Sequence, residues 1–226
     1  MRSRQQVFIG KEKQSRLFGS TAAIVGLGGT GHAAAEYLAR AGVNLILIDN
    51  DIVEECNLGR QIYSKSDIGR MKADVMKERL SEFAGVVSYS EMLSSYNIDK
   101  ILSGAGVVLD GTDDFKTRIL INDYCIKKKK PFTYAAAIRA EASFMFWLPG
   151  RPCLRCVFEG KQPKDSCETD GILSPVAALI GSYSAIEAIK YLIGEKPVEG
   201  LASIDFFRSR FDAIEIRRRD GCACGK

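Results

Sequence analysis

The chain has 226 residues, 46% of them hydrophobic, enough to bury a sizeable core; one elaborated domain and two smaller ones both fit, and a single compact unit over residues 1–226 is expected. Its 32 basic and 28 acidic residues leave a formal charge of +4, too small and mixed an excess to suggest nucleic acid, and the lysine run at 127–130 reads as a solvated helix end. No stretch approaches the roughly eighteen unbroken apolar residues of a membrane span, and the opening MRSRQQVFIG lacks an apolar signal core, so a soluble, cytoplasmic protein with no membrane partner is expected.

Residues 1–20 read as an N-terminal arm and helix. Thr21–Val25 reads as a strand, residues 32–41 as a helix and Asn44–Ile48 as a second strand, which together make a βαβ unit. A helix over 71–83, strands at Val86–Tyr89 and Val107–Asp110, and a long helix over 115–129 follow, with Pro131 opening a strand that runs through Ala135. From Ser143 the residues Phe144, Phe146 and Leu148 alternate, and further strands are expected at 201–207 and 212–217. Residues 160–171 are polar and read as a mobile crossover loop, before a helix over 175–193 with Pro175 near its start. The alternation predicts an α/β fold: a Rossmann-like doubly wound sheet, mostly parallel over 21–136, with an antiparallel C-terminal extension over 137–226.

Gly26-Leu27-Gly28-Gly29-Thr30-Gly31 follows a strand and opens a helix, so Gly26, Gly28, Gly29 and Gly31 can let the backbone approach phosphates at a helix N-terminus. Asp49 ends the second strand at the distance expected of a carboxylate that accepts hydrogen bonds from ribose hydroxyls. The alternative is a tight turn with a strand-end aspartate. Asp51, Asn57, Arg60, Gln61 and Lys72 then place polar and cationic groups just beyond the strand end, which suits a triphosphate better than a nicotinamide. Arg60 offers a planar fork and Lys72 a point charge, although either alone could be a surface ion-pair member. Gly111-Thr112-Asp113-Asp114 lies at the C-terminal end of another strand, where open α/β sheets place ligand chemistry. Asp113 is the candidate magnesium ligand, and Asp114 is either a second nucleotide-site carboxylate or the cap of the following helix.

Together GLGGTG, IDNDIVEECNLGRQ with Lys72 downstream, GTDD and RPCLRC resemble the MoeB, ThiF and HesA family, bacterial and archaeal relatives of ubiquitin-activating enzymes, over nearly the whole chain. The resemblance implies an enzyme that uses ATP and magnesium to adenylylate the C-terminal Gly-Gly carboxylate of a small ubiquitin-like sulfur-carrier protein. It implies that Asp49 binds the ribose, Gly29 and Asn57 line the nucleotide, Arg60 and Lys72 hold phosphates, and Asp113 coordinates magnesium. It also implies a homodimer in which Arg4 reaches the other subunit's active site. A carboxylate nucleophile is already ionised at neutral pH, so no general base is needed, and a chain whose single histidine is His32 fits that demand.

Of the seven cysteines, Cys153 and Cys156 form one close pair and Cys222 and Cys224 another, which in an intracellular protein suggests metal or sulfur chemistry before disulfides. A closed four-thiolate zinc site would staple the end of the chain. The resembling family spaces both pairs by two residues; here the second pair is spaced by one, which strains one knuckle. Cys167, in the polar loop, matches a family cysteine tied in the thiamin branch to a sulfur-bearing link with the carrier; an ordinary surface thiol is the alternative. Persulfide sulfur would come through Cys167 or from a separate protein such as a cysteine desulfurase. Phe144, Phe146 and Trp147 either dock the carrier or lie in the core. The competing functions are a non-catalytic docking module for a ubiquitin-like protein and a nicotinamide-dependent oxidoreductase, the latter with no candidate acid to serve it. Thiamin and molybdopterin-type pathways remain open.

Overall fold

A computed structural model describes residues 3–158 and 170–225. Two short helices, α1 (Ser3–Ile9) and α2 (Lys11–Phe18), precede a sheet whose strands are β1 (Thr21–Val25), β2 (Asn44–Ile48), β3 (Val86–Tyr89), β4 (Val107–Asp110), β5 (Phe132–Ile138), β6 (Glu141–Trp147), β7 (Leu201–Asp205) and β8 (Arg210–Ile214). They form one sheet in the order β3-β2-β1-β4-β5-β6-β7-β8. The first five strands pair in parallel and the last three join antiparallel, so the α/β architecture with an antiparallel extension is the one observed. Parallel pairing needs crossovers, and α3 (Gly31–Ala41), α4 (Lys72–Leu80), α5 (Ile98–Leu102) and α6 (Phe115–Lys128) supply them. After β6 come α7 (Leu154–Phe158) and the long α8 (Ser174–Leu192). Among the described residues, no helix is long and apolar enough to cross a membrane.

The two-residue period of a strand divides its side chains between two cores. Ala22, Ile24, Val107, Leu109, Phe144 and Phe146 face one core with residues of α3, α4 and α8, while Ala23, Val25, Val108, Met145 and Trp147 face the other with residues of α5, α6 and α7. Phe144, Phe146 and Trp147 are therefore core residues, at most 2% exposed, and not a docking surface. Phe144 packs edge-on against Tyr183 at 4.8 Å, and Trp147 lies 5.5 Å from Phe132.

Several element bounds differ from expectation. β5 continues three residues beyond Ala135 because β6 pairs with it along its whole length, from Phe132↔Trp147 to Ile138↔Glu141. The last hairpin turns earlier than expected: the Asp205 carboxylate accepts from the amides of Phe207 and Arg208, both at 3.0 Å, and Ser209 adopts a left-handed φ of 51°, so β8 begins at Arg210.

The crossing of α3 and α8 fixes the base of the glycine loop. A Cβ on Gly181 of α8 would fall 2.1 Å from the Thr30 carbonyl oxygen, so only hydrogen allows this approach. Gly181→Ala is expected to destabilise by about 2–3 kcal/mol through overpacking and to lower the melting midpoint by roughly 5–10 °C. A calorimetric midpoint equal to wild type would show that the two helices separate freely.

Candidate active site

The strand order reverses between β1 and β4, the switch point at which doubly wound sheets bind ligands beyond their carboxyl ends. The loops leaving these strands interlock through glycine. Gly26 has φ 84°, and a Cβ there would stand 2.9 Å from the Gly111 carbonyl; one on Gly31 would stand 1.8 Å from the Gly26 oxygen. The close approach brings the amide end of α3 behind a cradle open to an anion. His32 is buried with Nδ1 2.6 Å from the Gly28 oxygen, and burial lowers its pKa, so it braces the loop as a neutral ring. The buried Tyr63 hydroxyl donates to the Leu27 carbonyl from the other side at 3.0 Å.

Asp49 sits where β2 ends. Its two oxygens accept from the amides of Leu27 at 2.6 Å and Asp51 at 2.7 Å. Burial raises its pKa, opposed by those amides and by Lys72. Each carboxylate oxygen keeps a lone pair beyond the one it uses here. Lys72, the first residue of α4, is buried and donates to Asp51 at 2.8 Å, leaving two of its three protons for another acceptor.

The turn before α4 presents the remaining candidates. Asn57 is buried, its side-chain oxygen accepting from the Glu54 amide at 3.0 Å. Arg60 is exposed and spends one guanidinium nitrogen on the Cys56 carbonyl at 2.9 Å. Gln61 is buried against Gly28, and its side-chain oxygen has no hydrogen-bond partner among the described residues. An unmade buried acceptor costs about 1–3 kcal/mol, which a donor on a bound nucleotide would recover. Ser174 ties the start of α8 to this turn through the Gly59 carbonyl at 2.7 Å.

At the end of β4 the two aspartates part company. Asp114 caps α6, accepting from the Thr117 amide at 2.8 Å, the Thr117 hydroxyl at 2.7 Å and the Lys116 amide at 3.3 Å. The capping role thus accounts for Asp114, whose slight burial is outweighed by these bonds, so that its pKa is lowered. Asp113 is exposed and makes no hydrogen bond among the described residues. Sequence reasoning passed over Asp110, the last residue of β4, which is buried and organises the Gly111–Asp114 turn from below. Its signal was the one that identified Asp49, an aspartate at the carboxyl end of a buried parallel strand.

The cysteines converge although one pair is spaced by a single residue. Cys153, Cys156, Cys222 and Cys224 are all buried with their sulfurs within 4.8 Å of one another. A tight turn over Ala223–Gly225 swings Cys224 beside Cys156 at 3.7 Å, while Cys222 meets Cys153 at 3.6 Å. The Arg219 amide also points at the Cys156 sulfur, at 3.4 Å. Cys167 lies outside the described residues. Arg4 is exposed on α1, which is tethered through Gln5 to the carbonyl of Ala41, the last residue of α3. It therefore stands at the opposite end of α3 from its own chain's glycine loop, roughly 15 Å away at 1.5 Å per residue.

The sequence model of the ThiF family matches residues 2–224. The sulfur carrier protein ThiS adenylyltransferase of Escherichia coli (strain K12) is 36% identical over 227 residues, covering 96% of this chain and 90% of that protein. The SAMP-activating enzyme E1 of Haloferax volcanii is 33% identical over 229 residues, covering 96% of this chain and 85% of that protein. In fold, the crystal structure of E. coli MccB with ATP superposes with a TM-score of 0.85 at 23% identity, over 100% of this chain and 74% of that one.

Proposed function

The chain belongs to the ThiF family, and on that basis we propose that it is the adenylyltransferase that activates a ubiquitin-like sulfur-carrier protein at its C-terminal Gly-Gly carboxylate. The ThiS adenylyltransferase and the SAMP-activating enzyme align over 96% of the chain and over 90% and 85% of their own lengths, which supports the reading. The observation that carries the reading is the gathering, at one switch point, of a glycine cradle, the strand-end Asp49, the buried Lys72 and the exposed Asp113.

The terminal glycine carboxylate of the carrier attacks the α-phosphorus of ATP. One oxygen–phosphorus bond forms, the bond to the bridging oxygen of pyrophosphate breaks, and no proton moves. The residues thus have to align two anions and offset their charge. The ribose falls to Asp49 and the nucleotide lining to Gly26, Gly28, Gly29, Gly31, Asn57 and Gln61. Phosphate oxygens fall to the open side of the Arg60 fork and to the two unspent protons of Lys72, which Asp51 holds in place. Magnesium on Asp113 would neutralise charge between neighbouring phosphates, a role suited to an exposed carboxylate beside an anion cradle.

A structural zinc ion on Cys153, Cys156, Cys222 and Cys224 is the second part of the proposal. Bonds of 2.3 Å to one tetrahedral ion set sulfurs ~3.8 Å apart, and the separations of 3.6 and 3.7 Å support that fit. The third part is a homodimer in which Arg4 serves the partner's site. Its support is the distance of Arg4 from its own glycine loop, together with Val7 and Phe8 of α1, 86% and 89% exposed. Sulfur delivery by Cys167 or a cysteine desulfurase, and a cytoplasmic location, complete the reading.

The direct test is mass spectrometry of a Gly-Gly carrier incubated with the protein and magnesium ATP. A carrier heavier by one adenylyl group, reversed by added pyrophosphate, is the expected product. A carrier that binds yet is never modified would make the protein a docking module.

A further inference from the structure

Thr112 is held on three sides. Asp110 accepts from its amide at 2.9 Å and from its hydroxyl at 2.7 Å, through the same oxygen. Arg118, one turn into α6, grips its carbonyl with Nε at 3.2 Å and with a terminal nitrogen. Arg118 also lies over the Tyr134 ring at 5.0 Å and reaches the Ala135 carbonyl at 3.5 Å, so its own position is fixed from β5. Asp110 is 1% exposed, and its second oxygen is 3.5 Å from Arg118 Nε with no hydrogen bond among the described residues.

Burying two opposite charges is an expensive way to shape a turn. Each ion loses several kcal/mol of hydration, and a neutral hydrogen-bonding pair could have bent the same backbone for less. What the charges add is stiffness in one peptide plane. The Thr112 carbonyl belongs to the plane that carries the Asp113 amide, so the guanidinium sets the direction in which the chain enters Asp113. The cap at Asp114 sets the direction in which it leaves. Asp113 is the one carboxylate of the turn that makes no hydrogen bond among the described residues, and it stands between two fixed points.

We infer that the buried Asp110–Arg118 pair is a positioning device, acting through Thr112, that aims the Asp113 carboxylate at a divalent cation held on the nucleotide phosphates. The inference rests on the reading of Asp113 as a metal ligand. Both members of the pair are buried beneath the turn. Their contribution is to order the ligand before the metal arrives, the part played by groups that support a metal ligand from behind, whose loss typically weakens metal affinity about 10–100-fold.

The test compares Thr112→Val, which deletes only the hydroxyl bonded to Asp110, with Thr112→Ser, which restores it. Manganese is titrated by electron paramagnetic resonance against the full-length protein saturated with a non-hydrolysable ATP analogue, in the absence of carrier. The readout is therefore independent of whether any carrier is accepted. Affinity for the analogue is measured separately with chelator present. Thr112→Val is expected to weaken manganese binding about tenfold while leaving metal-free affinity within about twofold, and Thr112→Ser to restore manganese binding to near wild type. Arg118→Lys, which keeps the charge but loses the two-nitrogen grip, is expected to follow Thr112→Val. Unchanged manganese affinity in Thr112→Val, no recovery in Thr112→Ser, or an equal fall in metal-free affinity would each overturn the inference.

Discussion

Asp113→Ala is expected to reduce carrier-dependent adenylylation by about 10²–10³-fold, the cost of removing one preorganised group that stabilises developing charge in an enzyme's transition state. The side chain is exposed and makes no hydrogen bond among the described residues, so the protein should remain folded. Its stability should change by no more than about 0.5 kcal/mol, as for surface sites free of special contacts. The neighbouring Asp114→Ala is the informative control. Asp114 accepts three hydrogen bonds from the first turn of α6, and losing a cap of this kind costs about 1 kcal/mol. The two variants should separate cleanly: Asp113→Ala stable and inactive, Asp114→Ala less stable and largely active at low temperature. Steady-state rates and thermal midpoints measured on the same preparations decide it, and the reverse pattern would exchange the roles assigned to the two carboxylates.

Cys156→Ser is expected to release zinc and loosen the C-terminal segment. Four buried sulfurs hold the turn at 222–225 against α7, helped by the Arg219 amide at the Cys156 sulfur, a hydrogen bond from Arg218 to the Gly150 carbonyl and Ile216 packed on the second core. Structural zinc returns about 10–16 kcal/mol in small domains that fold around it. This chain has two hydrophobic cores of its own, so only a local share, about 4 kcal/mol, is at stake, equivalent to roughly 10 °C in the melting midpoint. Elemental analysis should give about one zinc per wild-type chain and none in the variant, with proteolysis opening first after Ile214. A wild-type protein without zinc, whose midpoint does not respond to a strong chelator, would leave the cluster as four packed thiols.

Much of the parallel half was legible because its local and global signals agree. The run Thr21–Val25, the glycines that follow and the continuous apolar run Leu45–Ile48 each point to the same βαβ unit, and the observed strands have the expected bounds. The short helices α5 and α7 were not legible, since five residues hold too little periodicity to be read and α5 has no side-chain cap in the structure. The aromatic strand Phe144–Trp147 was ambiguous for a different reason. Alternation identifies a strand with two faces, but only the sheet order reveals that both faces of β6 are covered. In the site, Asp49, Lys72 and Asp113 were recognisable from spacing and resemblance. Asp110 carried the strand-end signal of Asp49 and was passed over, while its pairing with Arg118 was not legible, because the value of a buried pair lies in the plane of a single peptide that no sequence pattern records. The cysteine pairs were read correctly as neighbours, and the single-residue spacing that suggested strain is absorbed by a tight turn at Ala223–Gly225.

The most direct test of the adenylylation assignment is isotope exchange between ATP and pyrophosphate, measured with the purified protein, magnesium and a panel of ubiquitin-like carriers ending in Gly-Gly. Exchange that requires one carrier, disappears when its terminal glycine is deleted and is lost in Asp113→Ala is the expected result. Binding of neither ATP nor any carrier by the folded, zinc-loaded protein, with no exchange, would contradict the assignment.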